Sequence, residues 1–80
     1  MKDLIAMIAR ALVDRPGEVQ VIEFLEDGET VMELEVAPED IGKVIGRQGR
    51  TVRALRSLLA TAAMKQRRRM VLEVVEREAP

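Results

Sequence analysis

The chain is organised around one stretch, Val44-Ile45-Gly46-Arg47-Gln48-Gly49-Arg50-Thr51-Val52, in which two glycines stand three positions apart. Apolar residues with helical spacing lie on both sides, so the stretch predicts a tight joint between two helices. Gly46 is suited to the left-handed conformation that closes a helix, and Gly49 lets the backbone approach a partner because it has no Cβ. The next helix is predicted to begin at about Arg50, with its free N–H groups and positive dipole end pointing out of the loop. This geometry attracts phosphate.

Basic side chains surround this glycine loop: Lys43, Arg47, Arg50 and Arg53. Residues 1–40 hold 11 acidic and 3 basic side chains, a net charge of −8, whereas residues 41–80 hold 10 basic and 3 acidic ones, a net charge of +7. The overall net charge of −1 therefore hides a strong polarity, and a polyanion would meet a basic half of the chain. A solvated helix face with clustered charges is the alternative interpretation.

The spacing of this stretch resembles the signature of KH domains, Val-Ile-Gly-x-x-Gly with apolar residues three and six positions after the second glycine. Val52 and Leu55 occupy those two positions, so the whole pattern is met. In KH domains this loop clamps the backbone of about four nucleotides. A helix-turn-helix corner that uses its glycines for geometry alone is the alternative.

The resemblance implies a nucleic-acid site built on the loop. We expect the backbone N–H groups from Gly46 to Arg50, which include Gly49, to cradle phosphates. Charge is expected from Lys43, Arg47, Arg50 and Arg53, and Gln48 is placed to hydrogen-bond sugar or phosphate. Three apolar residues are expected to wall a groove for the bases: Ile41, Val44 and Ile45. Such contacts position a strand with limited reading of its sequence.

Periodicity before the loop predicts one helix and two strands. Asp3 is expected to cap the helix, which Arg15-Pro16-Gly17 ends because proline disfavours helical geometry in the residue before it. The first strand is predicted from about Val19 to Leu25 and the second from Thr30 to Ala37. The turn between them contains Asp27-Gly28, which suits positive φ.

Periodicity around and after the loop predicts two helices and a last strand. Pro38 opens the short first helix. The longer second helix is expected from about Arg50 to Lys65, and its buried stripe is predicted to be Val52, Leu55, Leu59 and Ala62. The last strand is predicted from Met70 to Val75 and should lie parallel to the second strand, since two helices connect them.

The predicted fold is thus α+β in the order α-β-β-α-α-β, a three-stranded mixed sheet with helices on one face. This order is that of the type II KH topology. We expect residues 1–80 to form one domain with a loose tail at about 77–80.

Composition argues against an enzyme or a metalloprotein. The chain has no cysteine and no histidine, so we expect no thiolate or imidazole metal site, no disulfide and no cofactor. A Walker A loop would need glycine where Val44 stands. Phe24 is the only aromatic residue and is expected in the core, which disfavours folds that stack bases on aromatic platforms.

Nearly the whole chain resembles the KhpA (YlqC) family of small bacterial KH-domain RNA-binding proteins. The resemblance rests on the length, the helix-strand-strand start, the stretch 45–51 and Leu58-Leu59. It implies a cytoplasmic RNA chaperone or regulator that binds single-stranded RNA and pairs with itself or with a KhpB-like KH protein, with a link to cell elongation and division. The N-terminus lacks a signal-peptide pattern, and no apolar run approaches the roughly 20 residues of a membrane span, so we expect no membrane partner.

Two other functions remain open at this point. A protein-interaction module with a vestigial loop is favoured by the small-residue run 59–64, which would let helices approach closely. Binding of single-stranded DNA is the other, because the loop pattern does not distinguish the two nucleic acids. The apolar surface that Leu58, Ala60, Ala63 and Met64 add to the long helix predicts self-association through it as a homodimer. Packing of Leu58 and Met64 at the edge of the sheet is the alternative.

Overall fold

Three α-helices and one three-stranded sheet form the protein in a computed structural model that describes residues 1–78. The helices are α1 (Lys2–Leu12), α2 (Ile41–Ile45) and α3 (Arg50–Gln66), and the strands are β1 (Gln20–Glu26), β2 (Glu29–Val36) and β3 (Met70–Glu76). Short 3₁₀ turns lie at Pro16–Glu18, Pro38–Asp40 and Arg47–Gly49. The order of helices and strands confirms the predicted α-β-β-α-α-β arrangement.

The sheet is mixed, as predicted, with β2 in the centre. β1 pairs with β2 antiparallel, with Val21 opposite Leu34, and β3 pairs with β2 in parallel. The hairpin turn between β1 and β2 contains Asp27 and Gly28, whose φ angles of 51° and 79° confirm the positive values expected there. The parallel return is possible because α2 and α3 form the long crossover that such a pairing needs.

The core lies between the helices and one face of the sheet. Ile5 and Ala9 of α1 and Leu59 of α3 pack there against Leu34 and Val36 of β2, and all five are almost fully buried. Burial alternates from Met32 to Val36 of β2, because successive side chains point to opposite faces of the sheet. Met32, Leu34 and Val36 are buried on the side of the helices, and Glu33 and Glu35 lie on the other face.

Details of α1 and α3 differ from prediction. α1 begins at Lys2 with Met1 at its N-cap, so Asp3 lies in the first turn and does not cap the helix. α1 ends at Leu12, three residues before Arg15, because Val13 is already extended. On α3 the fourth buried residue is Ala63 rather than Ala62.

Phe24 does not lie in the core, contrary to prediction. It is half-buried and pairs with Val31. Val21 faces the helices, so Phe24, three positions further along β1, points to the opposite face of the sheet. The chain's one aromatic ring therefore belongs to the helix-free face.

The end of the chain is attached to the sheet further than expected. β3 continues through Glu76, and the N–H of Arg77 donates to the carbonyl of Val36 at 2.8 Å. Of the tail predicted at 77–80, residues 79 and 80 lie outside the described residues.

Candidate nucleic-acid interface

The backbone makes two sharp changes of direction between α2 and α3. Gly46 follows α2 with φ 79° and ψ 168°, and its N–H donates to the carbonyl of Gly42 at 2.9 Å. The left-handed conformation predicted for Gly46 is found instead at Gln48 (φ 57°, ψ 24°) and Gly49 (φ 73°, ψ 15°). The N–H of Gly49 donates to the carbonyl of Gly46 at 3.0 Å, which closes the loop into a compact turn.

The two glycines are required for different reasons. A Cβ on Gly46 would lie 2.7 Å from the Cβ of Thr51 and 2.9 Å from its backbone N, closer than packed atoms come. A Cβ on Gly49 would meet nothing within 4 Å. Gly46 is therefore required by packing and by its positive φ, whereas Gly49 is favoured by its φ alone.

Arginines from the start of α3 brace the loop. The guanidinium of Arg53 donates to the backbone carbonyl of Gln48 at 2.8 Å, and that of Arg50 donates to the Gln48 side-chain Oε1 at 3.1 Å. Gln48 is a non-glycine residue in the left-handed region, and these two contacts hold it there. Within residues 1–78, Arg47, Arg50 and Arg53 form no ion pair, so their charge is available to a ligand.

The start of α3 faces this loop with its positive end. α3 begins at Arg50 directly after Gly49, which has no side chain to cap the helix. The N–H of Arg50 is bonded to the carbonyl of Arg47, and the donors of the first turn beyond it have no intrahelical partner. With 17 residues, α3 is long enough for its dipole to add to the charge of the arginines.

The three apolar residues predicted to wall a groove have different exposures. Ile41 and Ile45 are half-buried at the edge of the core, so each presents part of its side chain to solvent. Val44 is completely buried. Val44 therefore supports α2 from beneath and offers no surface to a base.

Lys43, which was predicted to add charge at the loop, forms ion pairs with two acidic side chains. Its ammonium lies 2.9 Å from a carboxylate oxygen of Asp14 and 3.5 Å from one of Asp40. The hydrogen bond to Asp14 and the charge of that carboxylate, with a smaller contribution from Asp40, raise the pKa of Lys43 above its ordinary value. The positive charge of Lys43 is therefore neutralised within the protein.

Asp40 is the functional candidate that the sequence did not reveal. Its carboxylate is fully buried and accepts hydrogen bonds from the backbone N–H groups of Asp14 at 3.2 Å and Arg15 at 3.0 Å. Burial by itself would raise the pKa of Asp40, but these two hydrogen bonds and the charge of Lys43 outweigh it and hold the pKa below 3.8. In the sequence Asp40 resembles an ordinary acidic residue at a helix start. Its partners lie 25 and 26 residues earlier, and no local pattern indicates them.

Other site types find little support in the described part of the chain. Within residues 1–78, no three acidic side chains are grouped so that they could hold a metal ion. None of the helices there is long and apolar enough to cross a membrane.

Comparison with known proteins identifies the family. Residues 2–74 match the family model described as KhpA/KhpB, KH domain. The chain is 52% identical over 77 residues to the RNA-binding protein KhpA of Halalkalibacterium halodurans, an alignment that covers 95% of this chain and 100% of the relative. It is 49% identical over 75 residues to the RNA-binding protein KhpA of Clostridium acetobutylicum, with 94% of this chain and 100% of the relative covered. The protein of the same name from Treponema pallidum is 52% identical over 75 residues, with 94% of each covered. No solved structure matches the chain. The family model and these relatives, together with the fold described above, show that the chain belongs to the KhpA/KhpB KH-domain family.

Proposed function

We propose that this protein binds single-stranded RNA and clamps the strand's backbone at the glycine loop, Gly46–Arg50. The observation that carries the proposal is an exposed turn at the start of a 17-residue helix, with three arginines that form no ion pair within the described residues 1–78. The relatives named above are RNA-binding proteins, which supports RNA as the ligand.

Phosphates bind at the turn because donors and positive charge converge there. The first-turn N–H groups of α3 point toward the loop, and the flexible, exposed Arg47 closes over a phosphate from outside. Arg50 and Arg53 already hold Gln48, so their charge is partly preorganised and less side-chain entropy is lost on binding. Gln48 retains its amide N–H₂ as a donor to phosphate or sugar.

Bases are held next to the loop by aliphatic surface. Ile41 and Ile45 expose part of their side chains on α2, immediately before Gly46. Aliphatic contacts discriminate weakly between bases, so the clamp positions the strand and leaves sequence selectivity low. Low selectivity suits an RNA chaperone or a regulator that acts on many transcripts.

A titration with matched RNA and DNA oligomers of the same sequence tests this function. RNA binding is expected to be tighter than DNA binding if 2′-hydroxyls are contacted, since only RNA carries them. Equal affinities for the RNA and the DNA oligomer would show that the protein binds single strands of either kind. If neither oligomer bound, the proposed clamp would be refuted. In that case the protein-interaction function remains.

Self-association through α3 is a second proposal, and one observation favours it. Met64 is 81% exposed on α3, one turn beyond the exposed small residue Ala60, whereas Leu58, 46% exposed, lies on the other flank of the buried stripe. A two-fold contact would place the same patch on both subunits and set two glycine loops on one particle, so that long RNA binds with avidity. The same patch suits a KhpB-like KH protein as a heterodimer partner.

Sedimentation across a concentration series tests the homodimer. Wild type should form dimers, and Ala60→Glu, at an exposed position, should give folded monomers that bind long RNA more weakly. A monomer mass at high concentration for wild type would contradict the homodimer. Ala63→Glu would be a poor test because Ala63 is buried and the charge would unfold the domain.

A further inference from the structure

We propose that Asp40 is a positioning residue for RNA binding: it fixes α2, and through α2 the glycine loop, to the segment that follows α1. The proposal rests on RNA binding at the loop, as proposed above. Among residues 1–78, the hydrogen-bond and ion-pair partners of Asp40 are Asp14, Arg15 and Lys43, none of which belongs to the loop, so its effect on RNA must pass through the orientation of α2.

α2 needs an external anchor because it is very short. It comprises only Ile41–Ile45, and a helix of five residues has too few internal hydrogen bonds to be stable alone. Its apolar anchors are the fully buried Val44 and the half-buried Ile41 and Ile45 at the edge of the core. Apolar contacts are non-directional, so a polar anchor is needed to fix the direction of the helix.

Asp40 supplies this polar anchor at the N-terminal end of α2. Both carboxylate oxygens are used, Oδ1 by the N–H of Asp14 and Oδ2 by the N–H of Arg15. Lys43, one turn along, reaches back to Oδ1 at 3.5 Å and to Asp14 at 2.9 Å. Two backbone donors and one cation therefore join the segment after α1 to α2 from two directions.

A neighbouring ion pair reinforces this joint from the outside. The guanidinium of Arg15 lies 3.5 Å from the carboxylate of Glu39, and both side chains are largely exposed. An exposed pair adds little stability. The buried Asp40 therefore provides most of the attachment between α2 and the segment after α1. Loss of its carboxylate leaves the N–H groups of Asp14 and Arg15 without their acceptor.

The orientation of the loop depends on that of α2, because Gly46 follows the helix directly. Gly46 packs against Thr51 with no room for a Cβ, so a rotation of α2 about Val44 would disturb this contact and move the phosphate-binding turn. The geometry of a phosphate clamp tolerates little displacement, since its donors must lie within hydrogen-bond distance of the phosphate oxygens. Loss of the Asp40 anchor should therefore weaken RNA binding in a protein that still folds.

The test compares Asp40→Ala and Asp40→Asn with a core variant of matched thermal stability. Ile5→Val, or Ile5→Ala where a larger loss of Tm must be matched, removes buried methyl groups on α1 away from the loop. We expect Asp40→Ala to weaken RNA binding at least about tenfold, the effect of about 1.4 kcal/mol in binding free energy. Asp40→Asn should have a smaller effect because its amide oxygen can still accept one N–H. The Ile5 control should bind RNA like wild type.

Two measurements separate positioning from mere stability. Without RNA, the amide resonances of Gly46 and Gly49 should shift in Asp40→Ala but not in the Ile5 control. In wild type, bound RNA should slow hydrogen exchange at the Arg15 amide, because coupling between two sites is reciprocal. This second measurement needs no variant, so it decides the question even where Asp40→Ala fails to fold.

The outcomes distinguish the two proposals. Wild-type protein that binds no RNA refutes the proposed function, whereas loop resonances that stay unchanged in folded Asp40→Ala or Asp40→Asn refute positioning by Asp40. The positioning role is also overturned if the Asp40 and Ile5 variants lose RNA affinity equally. It is overturned as well if bound RNA does not change the rate of hydrogen exchange at the Arg15 amide.

Discussion

The two ends of α2 use charge in opposite ways. At its start, buried Asp40 accepts hydrogen bonds from the segment after α1, and Lys43 reaches back from the middle of α2 to pair with Asp40 and Asp14. Directly after its end, Arg47 and Arg50 belong to an exposed turn and have no acidic partner among residues 1–78. One end of the helix is anchored and the other is open to a ligand. Two basic residues only four positions apart therefore differ in their surroundings: Lys43 is paired within the protein, and Arg47 is left available for the proposed binding.

The largest effect should follow from reversing charge at the open end. Arg47→Asp with Gln48→Asp places two carboxylates in the turn, which repel phosphate and oppose the field at the start of α3. We expect RNA binding to be lost, while stability changes by no more than about 0.5 kcal/mol because both side chains are exposed. Asp is also tolerated at the positive φ of Gln48.

A binding titration beside a thermal melt checks this double variant. Arg77→Asp provides a control that introduces an acidic charge beside Glu33 and Glu35, outside the glycine loop. If the double variant bound RNA with the affinity of the wild type, the turn could not be part of the binding site.

The two glycines of the turn should differ in their effect on stability. Gly46→Ala combines a positive φ with a clash against Thr51, and we expect it to lower the free energy of unfolding by roughly 2–5 kcal/mol. In Gly49→Ala the new methyl group has free space around it, so only the left-handed backbone conformation is unfavourable. We expect it to lower the free energy of unfolding by about 1–2 kcal/mol. Denaturant unfolding of both variants checks whether Gly46→Ala loses more stability than Gly49→Ala. Equal losses would contradict the packing role assigned to Gly46.

The anchored end should make stability depend on pH at both extremes. The pKa of Asp40 is lowered on folding, so its contribution is present above the unfolded value of 3.8 and is lost as pH falls through the lower folded value. The pKa of Lys43 is raised, so its contribution is present below 10.5 and is lost as pH rises through the higher folded value.

Thermal melts of wild type and Asp40→Asn across pH measure this contribution. The difference in Tm should be roughly constant from about pH 5 to 8 and should narrow below about pH 4, where Asp40 is protonated first in the unfolded chain and then, at lower pH, in the folded protein. At neutral pH we expect a difference of at least about 5 °C for a domain of this size. A difference in Tm that stays the same down to pH 2 would contradict a charged, anchored Asp40.

Much of the fold could be predicted because its signals are local. Alternation along β2, the Asp27-Gly28 turn and the helical stripe of α3 each indicate an element within a few residues, and all three are confirmed. Predictions that depended on tertiary context were wrong. The face taken by Phe24 depends on the register of β1, and the end of α1 depends on the extended conformation of Val13.

The candidate site was predictable only in part for the same reason. The glycine spacing and the arginines around it are contiguous in sequence, so the turn was found where it was expected. The different roles of Gly46 and Gly49 required the position of Thr51 in space. The neutralisation of Lys43 required Asp14, which lies 29 positions earlier and belongs to the acidic half of the chain.

The salt dependence of RNA affinity tests the contrast between the two ends of α2 most directly. Each phosphate contact on a single strand contributes about −0.7 to the slope of log K against log salt, so three or four contacts predict a slope of roughly −2 to −3 for wild type. Arg47→Met should make the slope shallower by about 0.7, because one phosphate contact is lost. Lys43→Met should weaken binding by a similar factor at every salt concentration and leave the slope unchanged, since Lys43 supports α2 without touching phosphate. A wild-type slope near zero, or a slope that Lys43→Met and Arg47→Met reduce equally, would contradict this account.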